Sequence, residues 1–432
     1  MDKSIMLQTI KNTFFHFPKA VIATLANAYP ASRLTVIGVT GSDGKTTTVH
    51  MVHHILVKNG LKTAMISTVI AKIGNKELDT GLHVTTPDPF LLQRLLVQIK
   101  SQGFSHVVLE TTSHGLDQNR LIGTNIRVAV LTNITHEHLD YHKTFDFYRK
   151  AKIKLFRSAP FAILNKDDDS YLTVKKKIPR SSKLITYGFE KGADFKVHKA
   201  TMLNTSSSVE IRWKNEKITA TIPVPGRYNI YNALAATAAA FCVGIKPQDS
   251  LKSLKDFPPV PGRLSKVNSH PDIYIDFAHT PFALSQMLSF LKSILTPPGR
   301  LITVFGSAGD RDRSKRPMMG SVSAQLSHIS IFTADDPRFE KATDIIDEIS
   351  LGAIKKGAIE ISKENIPDRQ KPHVFIKEPD RQKAINLAVS IAQPNDTIAI
   401  SGKGHEKSLS VRGKELPWSD FDAVKIALEN KS

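Results

Sequence analysis

GVTGSDGKTTT, residues 38–48, lies between an apolar, β-branched segment (34–37) and a segment with helical apolar spacing (46–57). A strand, a glycine-rich turn and a helix in this order are typical of a phosphate-binding loop, because backbone N–H groups and a helix N-terminus face the same anion. Lys45 would reach the terminal phosphates, and Thr46 would offer its hydroxyl to Mg²⁺. Val39 replaces the first glycine of the G-x-x-x-x-G-K-[ST] pattern, which leaves a plain glycine turn as the alternative.

The composition is that of a globular protein. The chain has 432 residues, of which 41% are hydrophobic, and this length favours roughly three domains. No apolar run approaches the ~18–20 residues of a membrane span, and the N-terminus lacks the layout of a signal peptide. A single cysteine, Cys242, excludes an intramolecular disulfide framework. We therefore expect a cytoplasmic protein with no membrane span.

The net charge of +19 points to anionic partners. These partners would be small molecules such as nucleotides, or nucleic acid. The basic residues are scattered along the chain, and no zinc finger, basic zipper region or RNP signature is present. We expect small-molecule substrates and no nucleic acid.

Alternating strands and helices indicate an α/β fold. The first part predicts parallel strands and helices, followed by an antiparallel hairpin: strands 34–37, 64–70, 106–109 and 128–132, helix 90–100, hairpin 209–213 with 218–222, and helix 229–243. After a Pro/Gly-rich hinge at 258–262, a second α/β pattern begins: strands 273–276, 301–305, 329–333, 373–376 and 397–400, and helices 282–295, 318–326, 345–356 and 381–392.

We predict three regions from this pattern: a short helical segment (1–32), a P-loop domain with a mostly parallel sheet (33–261) and a C-terminal Rossmann-like α/β domain (262–432).

Acidic and imidazole side chains follow two strands of the first domain. Glu110 closes the strand 106–109, and TNITHEHLDYH (132–142) follows the strand 128–132. Because ligands bind at the carboxyl ends of strands in open α/β sheets, these groups could hold Mg²⁺ beside the phosphate loop. Zinc is an alternative suggested by His114, His136, His138 and His142, and a polar loop that caps a helix is another.

Three charged loops follow three strands of the second domain: GDRDRSKR (309–316), TADDPR (333–338) and SGKGHE (401–406). At one rim of a sheet they would receive a zwitterionic substrate, with arginine for carboxylates and Asp or Glu for ammonium groups. The alternative for the first loop is a solvated run of charges.

Taken in order, these motifs resemble those of the Mur ligases, ATP-dependent amide-forming enzymes of peptidoglycan synthesis. The sequence is most similar to the UDP-N-acetylmuramoyl-tripeptide synthetases within that family. The further matching motifs are HVTTPDPF (83–90), LETTSHGLDQNRL (109–121), PGRYNIYNALAA (225–236), DFAHTPFAL (276–284) and GSAGDRDRSKRPMMG (306–320). The resemblance implies that a D-Glu carboxylate attacks the γ-phosphate of ATP, and that an amine then displaces phosphate from the acyl phosphate.

The resemblance also implies roles for individual residues. Catalytic residues would be Lys45, Glu110, His138 and Lys152. Two Mg²⁺ ions would be held with Thr46, Glu110, His138 and a carbamylated Lys152. ATP would be contacted by Gly41, Ser42, Asp43, Gly44, Lys45, Thr46, Thr47, Asn229, Asn232, Arg263, Asp276 and His279. The acceptor would be contacted by Thr85, Thr86, Thr112, Ser113 and Arg120. The amino acid would be held by Arg311, Asp335, Asp336, Arg338, Gly402 and Glu406.

The added amino acid is expected to be meso-diaminopimelate. In the family, an arginine at the position of Arg338 pairs with the distal carboxylate, which lysine lacks. Asp336 stands where diaminopimelate enzymes usually have asparagine, and L-lysine is therefore the alternative.

Two further departures leave other functions open. His136-Glu137 replaces the usual Arg-Asp, and only about 32 residues precede the first core strand, where the family has a uridine-binding domain. The short helices or a partner protein would then serve the uridine end. Alternatively, the acceptor is another carboxylate, or the chain is a non-catalytic nucleotide-binding relative. Because Lys45, Glu110, His138 and Lys152 are all present, we favour an enzyme.

Overall fold

The computed structural model describes residues 3–78, 86–267, 269–366 and 373–431. Their contacts divide the chain into two compact units. Unit 1 contains Met1–Thr135 and Tyr141–Pro258, and unit 2 contains His136–Asp140 and Pro259–Ser432. The three predicted regions, 1–32, 33–261 and 262–432, remain a prediction. Among the described residues, no helix combines the length and the apolar character that crossing a bilayer requires.

The elements from the start of the chain to Pro258 are, in order, α1 (Lys3–Lys11), α2 (Phe17–Ala26), β1 (Thr35–Thr40), α3 (Lys45–Lys58), β2 (Thr63–Ile66), β3 (Ala71–Ile73), β4 (Lys76–Leu78), α4 (Pro89–Ser101), β5 (His106–Glu110), α5 (Ser113–Asp117), β6 (Ile126–Leu131), α6 (Leu139–His142), α7 (Phe145–Ile153), β7 (Phe161–Asn165), α8 (Tyr171–Lys175), β8 (Lys183–Gly188), β9 (Phe195–Met202), β10 (Ser207–Trp213), β11 (Glu216–Ile222), α9 (Arg227–Cys242) and α10 (Pro247–Ser253). A π-helical turn, Asn12–His16, joins α1 to α2, and short 3₁₀ turns occupy Pro30–Arg33, Lys154–Phe156 and Leu254–Asp256.

The sheet of unit 1 runs in the order β11-β10-β9-β8-β7-β6-β1-β5-β2-β3-β4. Its central strands pair in parallel, and antiparallel strands extend it at both ends. Because helices cover both faces of a parallel sheet, β1, β5 and β6 are short apolar runs rather than alternating ones. This is the predicted α/β fold, and it brings the carboxyl ends of these strands beside the glycine loop.

The strand predicted at 64–70 is too long. β2 ends at Ile66, because Ser67 turns back to bond Ile70 and Thr68 bonds the carboxylate of Glu110. The predicted 209–213 and 218–222 hairpin is confirmed by β10 and β11. β7 and β8 were not predicted from the sequence, although both extend the parallel part of the sheet.

Unit 2 contains the remaining elements: β12 (Ser265–Val267), β13 (Asp272–Asp276), α11 (Pro281–Ile294), β14 (Leu301–Phe305), α12 (Lys315–Leu326), β15 (Ile329–Phe332), α13 (Ala342–Lys355), β16 (Ile359–Glu360), β17 (Val374–Lys377), α14 (Arg381–Ile391), β18 (Thr397–Ser401), β19 (Ser408–Val411), β20 (Lys414–Pro417) and α15 (Asp420–Glu429). Its main sheet runs β12-β13-β18-β14-β15-β17-β16 and is parallel except for β12. β18, β14 and β15 are neighbours, so the three charged loops that follow them share one edge of the sheet.

Candidate functional site

The glycine loop of unit 1 connects β1 to α3 in a conformation that depends on glycine. Gly44 is the N-cap of α3 with φ of 80°, and a side chain there would collide with Asn232. A side chain at Gly41 would collide with Thr132. The loop is fixed from behind, since Asp43 N donates to Asn133 Oδ1 at 2.9 Å. The N-terminus of α3 is therefore held in the geometry that favours an anion.

Two lysines converge on this loop. Lys45 Nζ donates to Gly41 O at 3.1 Å and to Ser42 O at 2.7 Å. Lys152, on α7, is buried and donates to the same Gly41 carbonyl at 2.6 Å, while its ammonium lies 4.4 Å from the ring centre of Tyr148. The structure therefore places both predicted lysines at one carbonyl.

Glu110 lies at the carboxyl end of β5, as predicted, and is 1% exposed. Its carboxylate accepts hydrogen bonds from Thr46 Oγ1 at 3.1 Å and from Thr68 Oγ1 at 2.8 Å and Thr68 N at 2.9 Å. Oxygen ligands of this kind suit Mg²⁺, so the predicted pairing of Thr46 with Glu110 fits the ion. Thr68 was missed in the sequence, because nothing at its position signals that the chain turns back toward β5.

The two asparagines assigned to the adenine side lie behind the loop. Asn232 Oδ1 accepts from Thr48 at 3.3 Å, and Asn232 Nδ2 donates to Asn229 Oδ1 at 3.1 Å. Asn229 in turn donates to Pro225 O at 2.7 Å. Both side chains are buried on α9. Their contact with adenine remains a prediction.

The residues assigned to the acceptor lie close together. Thr86 Oγ1 and Thr112 Oγ1 are 3.1 Å apart, and Thr112 N donates to Thr86 Oγ1 at 2.9 Å. Arg120 Nη1 donates to Thr86 O at 2.7 Å. Ser113 Oγ is buried and has no hydrogen-bond partner among the described residues. Thr85 lies outside the described residues.

The histidines proposed as zinc ligands separate into two places. His114 and His142 pack against Tyr141, with ring centres 4.2 Å and 4.7 Å from its ring. His136 and His138 belong to the segment grouped with unit 2, and His138 adopts a left-handed backbone with φ of 58°. In the described parts of the chain, no three His, Cys, Asp or Glu side chains are placed to hold a metal ion.

Burial makes His142 a source of acid sensitivity. Burial, followed by the charges of neighbouring groups, lowers its pKa to about 3. As the pH falls below 6.5, the unfolded chain therefore takes up a proton that the folded chain does not, and the free energy of unfolding decreases. We expect this histidine to account for a loss of about 2 kcal/mol between pH 7 and pH 5. Urea denaturation at both pH values measures this loss of unfolding free energy. In His142→Gln the loss should be about 2 kcal/mol smaller than in the wild-type protein.

The exposed His198 supplies the control for this measurement. His198→Gln should keep the wild-type difference between pH 7 and pH 5. An equal loss of stability in His142→Gln and in the wild-type protein would show that His142 is not the responsible group.

In unit 2, acidic residues of the 333–338 loop meet the 401–406 loop. Lys403 Nζ, buried, lies 2.8 Å from Asp336 Oδ1 and 2.5 Å from Glu406 Oε2. A side chain at Gly402 would collide with Asp335, whose pKa is raised by burial against the opposing effect of Lys403. The negative charge of Asp336 is thus offset by a lysine of the protein, and the sequence analysis did not single out this lysine.

A buried arginine fixes the ends of the same two strands. Arg381 donates to both carboxylate oxygens of Asp420 at 2.8 Å, and to Ala334 O at 3.1 Å and Ser401 O at 3.0 Å. Arg381 and Asp420 are both fully buried. This bidentate pair therefore holds the backbone that leads to Asp335 and Gly402. Sequence reasoning missed it, because the two residues lie on α14 and α15.

Two arginines lie at this rim, and Arg311 Nη1 is 3.7 Å from Asp140 Oδ2. Arg311 is half-buried, and burial together with the nearby charge of Arg338 lowers its pKa. Arg338 adopts φ of 53°, a left-handed backbone conformation that is unfavourable for residues other than glycine. Its Nε is buried and lacks a hydrogen-bond partner within the described residues. Two neighbouring guanidinium groups suit a carboxylate.

The residues predicted near the nucleotide in unit 2 form another cluster. Arg263 lies over the ring of Phe277, 4.4 Å from its centre, and His279 packs on the same ring at 4.7 Å. Asp276 accepts from Leu264 N at 2.6 Å and from Ala278 N at 2.7 Å, which fixes the turn after β13. Their contact with ATP remains a prediction.

Comparison with known proteins identifies the family. Residues 39–240 match the Mur ligase middle domain, and residues 262–404 match the domain described as Mur ligase, glutamate ligase domain. A UDP-N-acetylmuramoyl-L-alanyl-D-glutamate–2,6-diaminopimelate ligase of Clostridium botulinum is 36% identical over 412 residues, which are 94% of this chain and 80% of the relative. The ligase of the same name from Aquifex aeolicus is 37% identical over 92% of this chain and 78% of its own.

A solved structure gives the same result. A structure of UDP-N-acetylmuramoyl-L-alanyl-D-glutamate–2,6-diaminopimelate ligase superposes with a TM-score of 0.64 at 28% identity, and covers 98% of this chain and 83% of its own. The sequence motifs, the glycine loop and both domain matches agree, and the chain belongs to the Mur ligase family.

Proposed function

We propose that this chain is an ATP-dependent ligase that adds meso-diaminopimelate to UDP-N-acetylmuramoyl-L-alanyl-D-glutamate in peptidoglycan synthesis. The observation that carries the proposal is the extended similarity to ligases that bear this name, over more than nine-tenths of the chain. The glycine loop, Lys45 and Glu110 supply a phosphate site in unit 1. A cytoplasmic location belongs to the same proposal, because ATP is the co-substrate.

The reaction proceeds in two steps. A carboxylate oxygen of the acceptor attacks the γ-phosphorus of ATP, the bond to the bridging oxygen breaks, and ADP leaves. The amine of the amino acid then attacks the acyl carbon, phosphate leaves and the nitrogen loses a proton. Lys45 neutralises negative charge on the transferring group, which is the main requirement of phosphoryl transfer.

Mg²⁺ supplies further charge neutralisation when bound. We propose that Glu110 and Thr46 hold one ion and that His138 contributes to the metal site. Lys152 carries a carbamate in the active enzyme, which converts a buried ammonium into an anion. The buried carboxylate and hydroxyl oxygens at Glu110 support the first assignment. The contact of Lys152 with the glycine loop supports the assignment of Lys152.

The amino-acid site is proposed to be the rim around Arg311 and Arg338. Asp336 is already paired with Lys403, so its charge does not argue for a substrate with an additional ammonium. The unpartnered Nε of Arg338 favours a substrate with a distal carboxylate, which diaminopimelate has and lysine lacks.

Phosphate release from ATP tests the proposal. With UDP-N-acetylmuramoyl-L-alanyl-D-glutamate as acceptor, meso-diaminopimelate should stimulate release and L-lysine should not. Stimulation by lysine alone would keep the ligase and overturn the role of Arg338. No stimulation by either amino acid would favour another carboxylate acceptor or a non-catalytic relative. A UDP-free acceptor should be a poorer substrate, since we propose that residues 1–32 or a partner protein serve the uridine end.

An arginine variant tests the amino-acid site. Arg338→Met should lower kcat/KM for diaminopimelate by about tenfold to a hundredfold, because one charge-assisted interaction with the distal carboxylate is lost. This loss should appear as a higher KM for the amino acid, while the KM for ATP should stay unchanged. Arg412→Met, in the same loop region and exposed, is the matched control and should retain wild-type kinetics. Equal losses in both variants would indicate a general electrostatic effect.

A further inference from the structure

The N-terminal helical segment turns its large apolar side chains toward solvent. α1, the π-helical turn and α2 follow one another from Lys3 to Ala26. Leu7, Phe14 and Leu25 are 67%, 77% and 72% exposed. The exposed large apolar residues of this segment, named here the N-terminal apolar face, are Met6, Leu7, Ile10, Phe14, Phe15, Phe17, Ile22 and Leu25. Helices of globular proteins usually turn such residues toward the core, whereas this segment turns them toward solvent.

The opposite side of the segment carries polar or small residues, and it packs on the rest of unit 1. Gln8 Nε2 donates to Tyr141 Oη at 2.7 Å, and Asn12 Nδ2 donates to Asp117 Oδ2 at 2.7 Å. Ala20 and Ala23 are fully buried. The segment is thus anchored in a defined orientation, and the outward position of the apolar face follows from these contacts.

The apolar face is continuous along the segment. Leu7 and Ile10 lie on α1, Phe14 lies in the π-helical turn, and Phe17 and Leu25 lie on α2, so exposed apolar side chains occur in every element of the segment. Leaving such side chains in water is unfavourable by about 25 cal/mol per Å² of apolar surface. A contiguous surface of this kind marks an interaction site.

The charge of the segment identifies its partner. No Asp or Glu occurs between Asp2 and Asp43, whereas Lys3, Lys11 and Lys19 fall within the helices. Lys11 is exposed, and Lys19 pairs with Asp88 at 2.5 Å. The whole chain carries +19. A segment with exposed aromatic and aliphatic residues, an exposed cation at Lys11 and no acidic residue is complementary to an anionic lipid surface.

A second copy of the chain fits this face less well. In a symmetric pair, the cations of each copy would face a segment that has no acidic residue to pair with them. Phosphate groups of lipids supply the missing negative charge, and the acyl boundary accepts the apolar side chains. We propose that the N-terminal apolar face docks on an anionic membrane surface, with the helices lying in the interface rather than crossing it.

Vesicle flotation with the full chain tests this proposal. The wild-type protein should float with vesicles that contain phosphatidylcholine and phosphatidylglycerol, and less with pure phosphatidylcholine. The triple variant Leu7→Ser/Phe14→Ser/Leu25→Ser should reduce the bound fraction by about tenfold or more, because three side chains leave the interface. Lys11→Glu should lower binding to the anionic vesicles by about fivefold, and added salt should do the same.

The chain offers a matched control. Leu172, Leu351 and Ile354 are 66%, 64% and 53% exposed and lie outside the segment, so the triple serine variant of these positions should float as the wild type does. Absence of flotation, or equal flotation of both triple variants, would overturn the proposal. A dimer in light scattering that becomes a monomer in the Leu7/Phe14/Leu25 variant, without flotation, would show that the face binds a second copy instead. Circular dichroism of each variant should remain that of the wild type, since the substituted side chains face solvent.

Discussion

Replacing Lys45 with alanine should lower kcat by about a hundredfold to a thousandfold, because a cation beside the transferring phosphoryl group is lost. The ammonium lies against the carbonyls of Gly41 and Ser42, at the mouth of the loop formed between β1 and α3. Phosphate release in the complete assay measures the effect. The fold should persist, because Asn133 Oδ1 still accepts from Asp43 N when the two hydrogen bonds from Lys45 to the loop are lost.

The control for this variant lies at the other end of the same helix. Lys58 is exposed and pairs with Asp256 at 2.5 Å, so Lys58→Ala removes the same chemical group from α3 at a position remote from the loop. We expect its kcat to equal that of the wild type. Thermal melting should give similar midpoints for both variants. Retention of more than about a tenth of the activity by Lys45→Ala would contradict the assigned role.

Much of the fold could be predicted because local patterns determine it. The apolar run of β14 gives its bounds, Leu301–Phe305, in agreement with the prediction, and α4 begins at Pro89 behind the capping carboxylate of Asp88. β7 and β8 were missed, since their neighbours in the sheet are set by long-range pairing that no local pattern encodes.

The candidate site was predictable to a smaller extent. The glycine loop, Glu110 and the charged loops follow strands and could be located by position alone. The contacts that hold these groups in place could not be predicted from the sequence. The pairs Lys403–Asp336 and Arg381–Asp420 join residues far apart in the sequence. The first forms between the loops that follow β15 and β18, and the second between the starts of α14 and α15.

The difference matters most at Asp336. The sequence analysis treated its carboxylate as a charge presented to the substrate. In the structure it accepts from Lys403 and from Ser410 N, both at 2.8 Å, so it acts within the protein. Arg338, in the same loop, has a buried Nε that lacks a hydrogen-bond partner among the described residues. Substrate selection is therefore better tested at Arg338 than at Asp336.

Lys152 could act either as a cation or as a carbamate. Lys152 is 1% exposed, and its ammonium contacts Gly41 O and the ring of Tyr148. As a cation it would support the loop. As a carbamate it would place an anion beside the proposed metal site. The proposed carbamate and the cation therefore predict opposite effects of small added ions when the side chain is removed.

Lys152→Ala should lower kcat by at least about a hundredfold, because either form of the side chain supports the reacting groups. Formate or acetate should restore part of the activity if the lost group is an anion, whereas methylammonium should restore it if the lost group is a cation. The matched control is Lys150→Ala, on the same helix α7, where the exposed Lys150 pairs with Asp146 at 2.6 Å and should be dispensable. Rescue by methylammonium and not by carboxylates would overturn the carbamate, while wild-type activity of Lys152→Ala would remove this residue from the site altogether.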